Sequence, residues 1–193
     1  MHRTWSGPEG SSHTSLCLRV PLFYIFMKTD EEYMMMALKE AEKAAKADEV
    51  PVGCVIVRNG EVIAKAHNLR EKNQQANAHA EMLAIQKASK KLGTWCLQDC
   101  DLYVTLEPCM MCTGAIGHAR IHKLVYGTAD PKGGTVDTLV KIKEIPHLKT
   151  YPKEIVSGVL REECSSILSD FFREKRKKPK KDKTQFQTMN KPA

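Results

Sequence analysis

Asp101-Leu102-Tyr103-Val104-Thr105-Leu106-Glu107-Pro108-Cys109-Met110-Met111-Cys112 is an apolar, partly β-branched run that stops at a proline and passes into helix-forming residues. A proline is tolerated at a helix start, where its missing N–H would have no partner anyway. The segment therefore reads as strand, turn and helix. Cys109 and Cys112 sit one helical turn apart at the start of that helix. Upstream, His79-Ala80-Glu81 opens another helical pattern that runs to about Leu92 and stops at Gly93. A strand running between two helices can bring both helix starts to one edge of a sheet. One imidazole and two thiolates would then face a single ion.

Three such ligands leave the fourth tetrahedral position open, as a catalytic zinc requires. Helix N-termini favour negative charge and lower a thiol's pKa, which suits thiolate ligands. Glu81 follows the ligand His79 closely and can move protons without binding metal. His-x-Glu followed by Pro-Cys-x-x-Cys is the signature of zinc deaminases, in which activated water displaces an exocyclic amine from a base. The alternative is a closed structural site completed by His118 or His122. His118 lies more than a turn further down the helix from Cys112 and should point away from the metal end.

The remaining sequence supplies more strands and helices. Thr29-Asp30-Glu31-Glu32 is a capping box, and Tyr33, Ala37, Leu38, Ala41, Ala44 and Ala45 recur at helical steps to about Ala47. Pro51 to Val57 and Glu61 to Ala66 flank Asn59-Gly60, a two-residue hairpin signal. A loop is expected from His67 to Ala78, strands over Lys123 to Gly127 and Glu154 to Val159, a short helix near Asp137 to Lys143, and a last helix from Arg161 to about Lys178. Five strands alternating with helices indicate an α/β sandwich around one mixed sheet.

The 193 residues, 42% of them hydrophobic, suit one domain with additional tail. No stretch has the roughly 20 apolar residues of a membrane-spanning helix. Seven cysteines at uneven spacing imply a reduced, cytoplasmic protein rather than a disulfide framework. Cys54 and Cys164 read as small buried residues. Arg173 to Ala193 hold nine Lys/Arg against two acids, which accounts for the whole net charge of +7. Such a run is a candidate phosphate-binding arm or a solvated tail. The expected organisation is an N-terminal extension over residues 1–26, with Met27 as the natural start, a domain over 27–178 and a basic disordered tail over 179–193.

From about Thr29 to Lys178 the chain resembles the bacterial tRNA-specific adenosine deaminases. The resemblance rests on Glu49-Val50-Pro51-Val52-Gly53, Ala66-His67-Asn68-Leu69-Arg70, Ala78 to Glu81, Leu102 to Cys112, Val125-Tyr126-Gly127, Asp130 to Gly134 and Phe171-Phe172-Arg173. It implies a three-layer α/β/α cytidine-deaminase-like sandwich around a five-stranded mixed sheet. It also implies conversion of a wobble adenosine to inosine, with one Zn2+ per subunit held by His79, Cys109 and Cys112 and Glu81 as the catalytic proton shuttle. Asn68 would hydrogen-bond the flipped adenine, the backbone N–H of Ala80 would hold its position-6 side near the zinc, and Val52 would line the base pocket. Asp130 and Lys132 would lie beside the backbone of the tRNA anticodon loop, with Asp130 near a ribose hydroxyl. Phe171, Phe172 and Arg173 would contact flanking nucleotides. The same resemblance implies a homodimer formed partly through the helix from Cys109 to Ala119. One stretch departs from many relatives, Gly134 to Leu139, where they carry a smaller residue and a second glycine. Two rival readings stand beside this one: a deaminase of free bases or nucleotides such as guanine, cytidine or deoxycytidylate, and a non-catalytic zinc RNA-binding subunit.

Overall fold

The computed structural model describes residues 28–146, 148 and 152–177. The expected extension over residues 1–26 and the tail over 179–193 lie outside the described residues.

Helix α1 (Asp30–Lys46) begins at the capping box: the Thr29 side chain accepts from the Glu32 N–H, and the Glu32 carboxylate accepts from the Thr29 N–H. Strands β1 (Gly53–Arg58) and β2 (Glu61–His67) form the hairpin, with Asn59 and Gly60 both at positive φ, as a tight two-residue turn demands. Helix α2 (Arg70–Asn73) is one short turn. Helix α3 (Ala80–Leu92) ends at Gly93 in the left-handed region. Strand β3 (Cys100–Leu106), helix α4 (Met110–His118), strand β4 (Lys123–Thr128), strand β5 (Glu154–Ser157) and helix α5 (Arg161–Lys177) complete the order.

The sheet order is β2-β1-β3-β4-β5. β1 is antiparallel to β2 and β3, whereas β3, β4 and β5 run parallel, so the sheet is mixed. Side chains alternate across it. Val55, Val57, Tyr103 and Val125 pack with Tyr33, Met34 and Ala37 of α1 and Cys164 of α5. Cys54, Ile56, Leu102, Val104 and Leu124 pack with Ala80, Ala84 and Ala88 of α3 and Ile116 of α4. Both faces are covered, which gives the three-layer α/β/α sandwich. Cys54 and Cys164 are fully buried among apolar neighbours, as small core residues.

α1 lies unusually close to β1. A Cβ placed on Gly53 would stand 2.0 Å from the Ala37 carbonyl oxygen and 2.5 Å from the Ala41 nitrogen. Gly53 is thus required by backbone-on-backbone contact, with no positive φ involved.

Two local expectations are corrected. The loop between His67 and Ala78 contains α2, whose polar residues carry no apolar periodicity. The buried carboxylate of Glu49 makes that turn, accepting from the N–H groups of Glu71 (3.2 Å) and Lys72 (2.7 Å) and so capping α2 from a distant part of the chain. The helix expected near Asp137 to Lys143 is absent: turns lead into a short 3-10 segment over Ile142–Glu144. The N–H groups of Val136, Asp137 and Thr138 converge on the Glu107 carboxylate instead, which wraps the chain around that side chain.

Candidate active site

β3 ends at Leu106, and the chain turns through Glu107 and Pro108 into α4. The start of α3 reaches the same edge of the sheet. His79 is the N-cap of α3 and Cys109 the N-cap of α4, both with extended backbone. Neither side chain caps its own helix; the two point at each other instead. The His79 Nδ1 lies 3.7 Å from Cys109 Sγ and 3.5 Å from Cys112 Sγ. All three ligand atoms fall within 4.8 Å of one another.

This spacing can be checked against metal geometry. Zinc–sulfur and zinc–nitrogen bonds of about 2.3 and 2.0 Å at a tetrahedral angle put nitrogen and sulfur about 3.5 Å apart. The observed edges match. The electrostatics agree as well. Hydrogen bonds from the Cys112 thiol and then from His79 draw the Cys109 thiol down to about 4. The Cys112 thiol is pushed up by its hydrogen bond to Cys109 and by burial. The hydrogen bond to Cys109 raises the His79 pKa. Three donors converging in this way could hold a metal ion, and the residues present fit zinc. His118 is exposed and stands outside the group, as its position along α4 requires.

Glu81 is 4% exposed, in the first turn of α3, and burial raises its pKa. It lines a cavity of about 240 Å³ together with His79, Ala80, Cys109, Val52, Asn68 and Asp130. The cavity is smaller than the roughly 300–1,000 Å³ of drug-sized sites. It suits one flat ring system whose attachments stay outside.

Of the residues singled out by sequence, seven meet here: Val52, Asn68, His79, Ala80, Glu81, Cys109 and Asp130. Cys112, fully buried, completes the group of three that could hold a metal. Lys132 and Phe172 line an adjoining groove that shares Val50, Leu106 and Asp130 with the cavity. Phe171 and Arg173 reach neither. Phe171 lies in a groove between α1 and α5 with Lys175 over its ring, and Arg173 pairs with Asp170 at 2.7 Å.

Two buried acids outside the expected site residues, Glu49 and Glu107, also hold this region together. Glu49 is 1% exposed and accepts from Asn68 Nδ2 at 3.1 Å, which fixes the direction of that amide. Glu107 is 2% exposed and accepts from the N–H of Asp130 at 3.1 Å and from the Thr138 hydroxyl, besides the three amides already named. Burial raises its pKa, but the Thr138 hydroxyl and the backbone amides outweigh it and hold the group below the usual carboxylate range. An acid embedded in an apolar run, as in Glu49-Val50-Pro51 and Leu106-Glu107-Pro108, was the available signal.

An α/β/α sandwich with a His-Cys-Cys group, a buried glutamate and a base-sized cavity defines a nucleobase deaminase. Comparison with known proteins narrows the class. The MafB19-like deaminase family model matches residues 28–176. The tRNA-specific adenosine deaminase of Bacillus subtilis is 55% identical over 154 residues, covering 80% of this chain and 95% of that protein. That of Streptococcus pyogenes serotype M1 is 46% identical over 148 residues, covering 77% and 86%. A structure from work on A-to-I editing by tRNA:A34 deaminases at the wobble position of transfer RNA superposes with a TM-score of 0.68 at 44% identity, covering 71% of this chain and 99% of that one. Guanine deaminase from Nitrosomonas europaea shares the fold, with a TM-score of 0.67 at 22% identity, covering 84% and 98%. The chain belongs to the tRNA-specific adenosine deaminases, within the MafB19-like deaminase family.

Proposed function

We propose that the protein hydrolyses the wobble adenosine of a tRNA anticodon loop to inosine, releasing ammonia. The observation that carries the reading is the single cavity lined by His79, Cys109, Glu81 and Asn68 together. His79, Cys109 and Cys112 would hold one Zn2+ per subunit. When bound, zinc lowers the pKa of a coordinated water from about 15.7 to roughly 7 and so supplies the nucleophile.

The chain's own groups do the rest. Glu81 would take a proton from the attacking water and give it to the ring nitrogen, then take the proton of the new hydroxyl and pass it to the exocyclic amine, which leaves as ammonia while the C–O bond becomes a carbonyl. Burial favours its protonated form and so makes it a usable acid as well as a base. Adenine N7 is an acceptor, so Asn68 meets it through Nδ2, which the Glu49 carboxylate already orients. The Ala80 N–H stands at the start of α3 and would hold the position-6 side of the base. Val52 packs on the ring. Asp130 lines both the cavity and the adjoining groove, and Lys132 lines the groove, along which the sugar–phosphate backbone would pass. A carboxylate near a ribose 2′-hydroxyl distinguishes RNA from DNA.

Phe172 is 43% exposed and lines the adjoining groove, which suits it to a flanking base. Phe171 and Arg173 would meet the RNA further from the cavity. The helix pairs Lys175–Asp48 (2.6 Å) and Arg173–Asp170 (2.7 Å) are exposed, so they hold their charges weakly against an incoming phosphate. Met110 and Met111 on α4 are 69% and 37% exposed, which supports α4 as part of a homodimer contact. No described helix is long and apolar enough to cross a membrane. A tRNA substrate places the work in the cytoplasm.

The decisive assay offers anticodon stem-loops and free adenosine, guanine and cytidine side by side. Inosine in the stem-loop, with free compounds turned over far more slowly, is expected. Turnover of free compounds alone would refute the tRNA assignment. Activity retained by Glu81→Ala would refute the shuttle.

A further inference from the structure

Glu107 lines the cavity without being one of the three possible metal ligands, and its carboxylate is taken up by the loop beside it. One oxygen accepts from the N–H groups of Val136 (3.0 Å), Asp137 (2.8 Å) and Thr138 (3.1 Å). The other accepts from the Asp130 N–H and the Thr138 hydroxyl. The loop from Asp130 to Thr138 is thus closed around a single buried carboxylate.

Asp130 is gripped from several sides. Glu107 holds its N–H, its carbonyl accepts from the Gly134 N–H at 2.9 Å, and its Oδ1 accepts from the Lys132 N–H at 2.9 Å. The same loop is bonded to the metal segment. The Thr135 N–H donates to the Pro108 carbonyl at 3.1 Å, Cys109 bridges Gly134, and the Thr113 and Thr135 hydroxyls lie 2.8 Å apart. The fit admits no side chain at 134, where a Cβ would stand 2.3 Å from Glu107 Oε2.

We infer that Glu107 is a positioning residue for RNA affinity: by gathering the 130–138 loop it sets Asp130 where the cavity and the adjoining groove meet before substrate arrives. The inference rests on the RNA reading above. A carboxylate so placed acts through pre-organisation, since a mobile loop would have to be ordered at the moment of binding. Asp130 is then the output of this device, and Thr138 one of its inputs.

The test compares wild type with Glu107→Gln, Thr138→Val, Asp130→Ala and the Glu107→Gln/Asp130→Ala double variant. The measurements are stem-loop Kd by anisotropy, KM, kcat and zinc per chain. Glu107→Gln keeps the shape but presents an amide to donors. It should raise Kd and KM about tenfold, with kcat within about threefold and zinc unchanged. Thr138→Val should shift both about two- to threefold in the same direction. The double variant should bind no worse than the weaker single variant, because both changes remove one contact to RNA. An unchanged Kd in Glu107→Gln, or fully additive losses in the double variant, would overturn the proposal. If Glu107→Gln does not fold, Thr138→Val carries the test, and a wild-type Kd there overturns it. A wild-type protein that turns over free nucleosides but neither binds nor edits the stem-loop removes the RNA reading, and this inference with it.

Discussion

Replacing Glu49 by glutamine tests whether a buried acid directs substrate recognition from behind the base pocket. Glu49 Oε2 accepts from Asn68 Nδ2 and the Glu71 N–H, and Oε1 from the Lys72 N–H. A glutamine can offer an oxygen to only one side, leaving its NH2 against donors on the other. Hydrogen bonds to a charged acceptor are worth about 1.5–3 kcal/mol each, against about 1 for neutral ones. Two weakened bonds and one donor–donor contact cost about 2–4 kcal/mol in stability. At 2–4 °C per kcal/mol, Tm should fall by roughly 10 °C. Activity should fall by a separate route, because the Asn68 amide is no longer held with Nδ2 toward the base. Asn68 and the ring nitrogen are both neutral, so losing that oriented hydrogen bond, worth about 1 kcal/mol, corresponds to roughly fivefold in kcat/KM. The assay is stem-loop deamination at a temperature where both proteins are folded, with zinc content and Tm measured in parallel. A variant with the lower Tm but kcat/KM within twofold of wild type would refute the link from Glu49 to Asn68.

Glu81→Gln should fold and hold wild-type zinc while losing about 10²- to 10⁴-fold in kcat, measured by inosine formation. Gly53→Ala should lower Tm by roughly 10 °C with the remaining active fraction turning over normally, because α1 and β1 must separate to admit the methyl group. Glu40, 6% exposed, has its pKa raised by burial but lowered further by hydrogen bonds from Lys43 and His67, so its net shift is downward from 4.5. A carboxyl with a depressed folded pKa stabilises the fold above its unfolded value and loses that contribution as pH falls. The Tm gap between wild type and Glu40→Gln should therefore be widest at pH 7 and narrow as pH drops through about 4.5; a constant gap would refute it.

The fold was legible where local chemistry and periodicity agreed. The capping box at Thr29, the Asn59-Gly60 turn and Gly93 each mark a boundary that the structure keeps within a residue or so. The His79, Cys109 and Cys112 group was legible because a metal demands particular side chains at particular spacings. Glu49 and Glu107 were not, since each organises backbone amides more than twenty residues away in sequence, and no periodicity records such a bond. The same two residues explain both misread segments: α2 exists because Glu49 caps it, and the expected helix after Asp137 does not because Glu107 takes its amides. Phe171 and Phe172 are adjacent on one amphipathic helix, and sequence alone could not say that only Phe172 turns toward the cavity side.

The placement of both ligands at helix N-caps has a consequence for the life of the chain. A helix start normally recruits a side chain to hold its first amides. At α3 and α4 the side chains that stand in that position are committed elsewhere, and neither helix has a side-chain cap. A metal ion held by His79 and Cys109 would therefore tie the two helix starts together. Newly made protein in a zinc-starved cell would emerge with two loose ends at the heart of its catalytic edge, open to proteases and quality control. Chelation should accordingly quicken amide exchange in the first turns of α3 and α4 while β1 and β3 stay protected. Metal supply would then govern how much of this protein survives, as well as how fast each copy works.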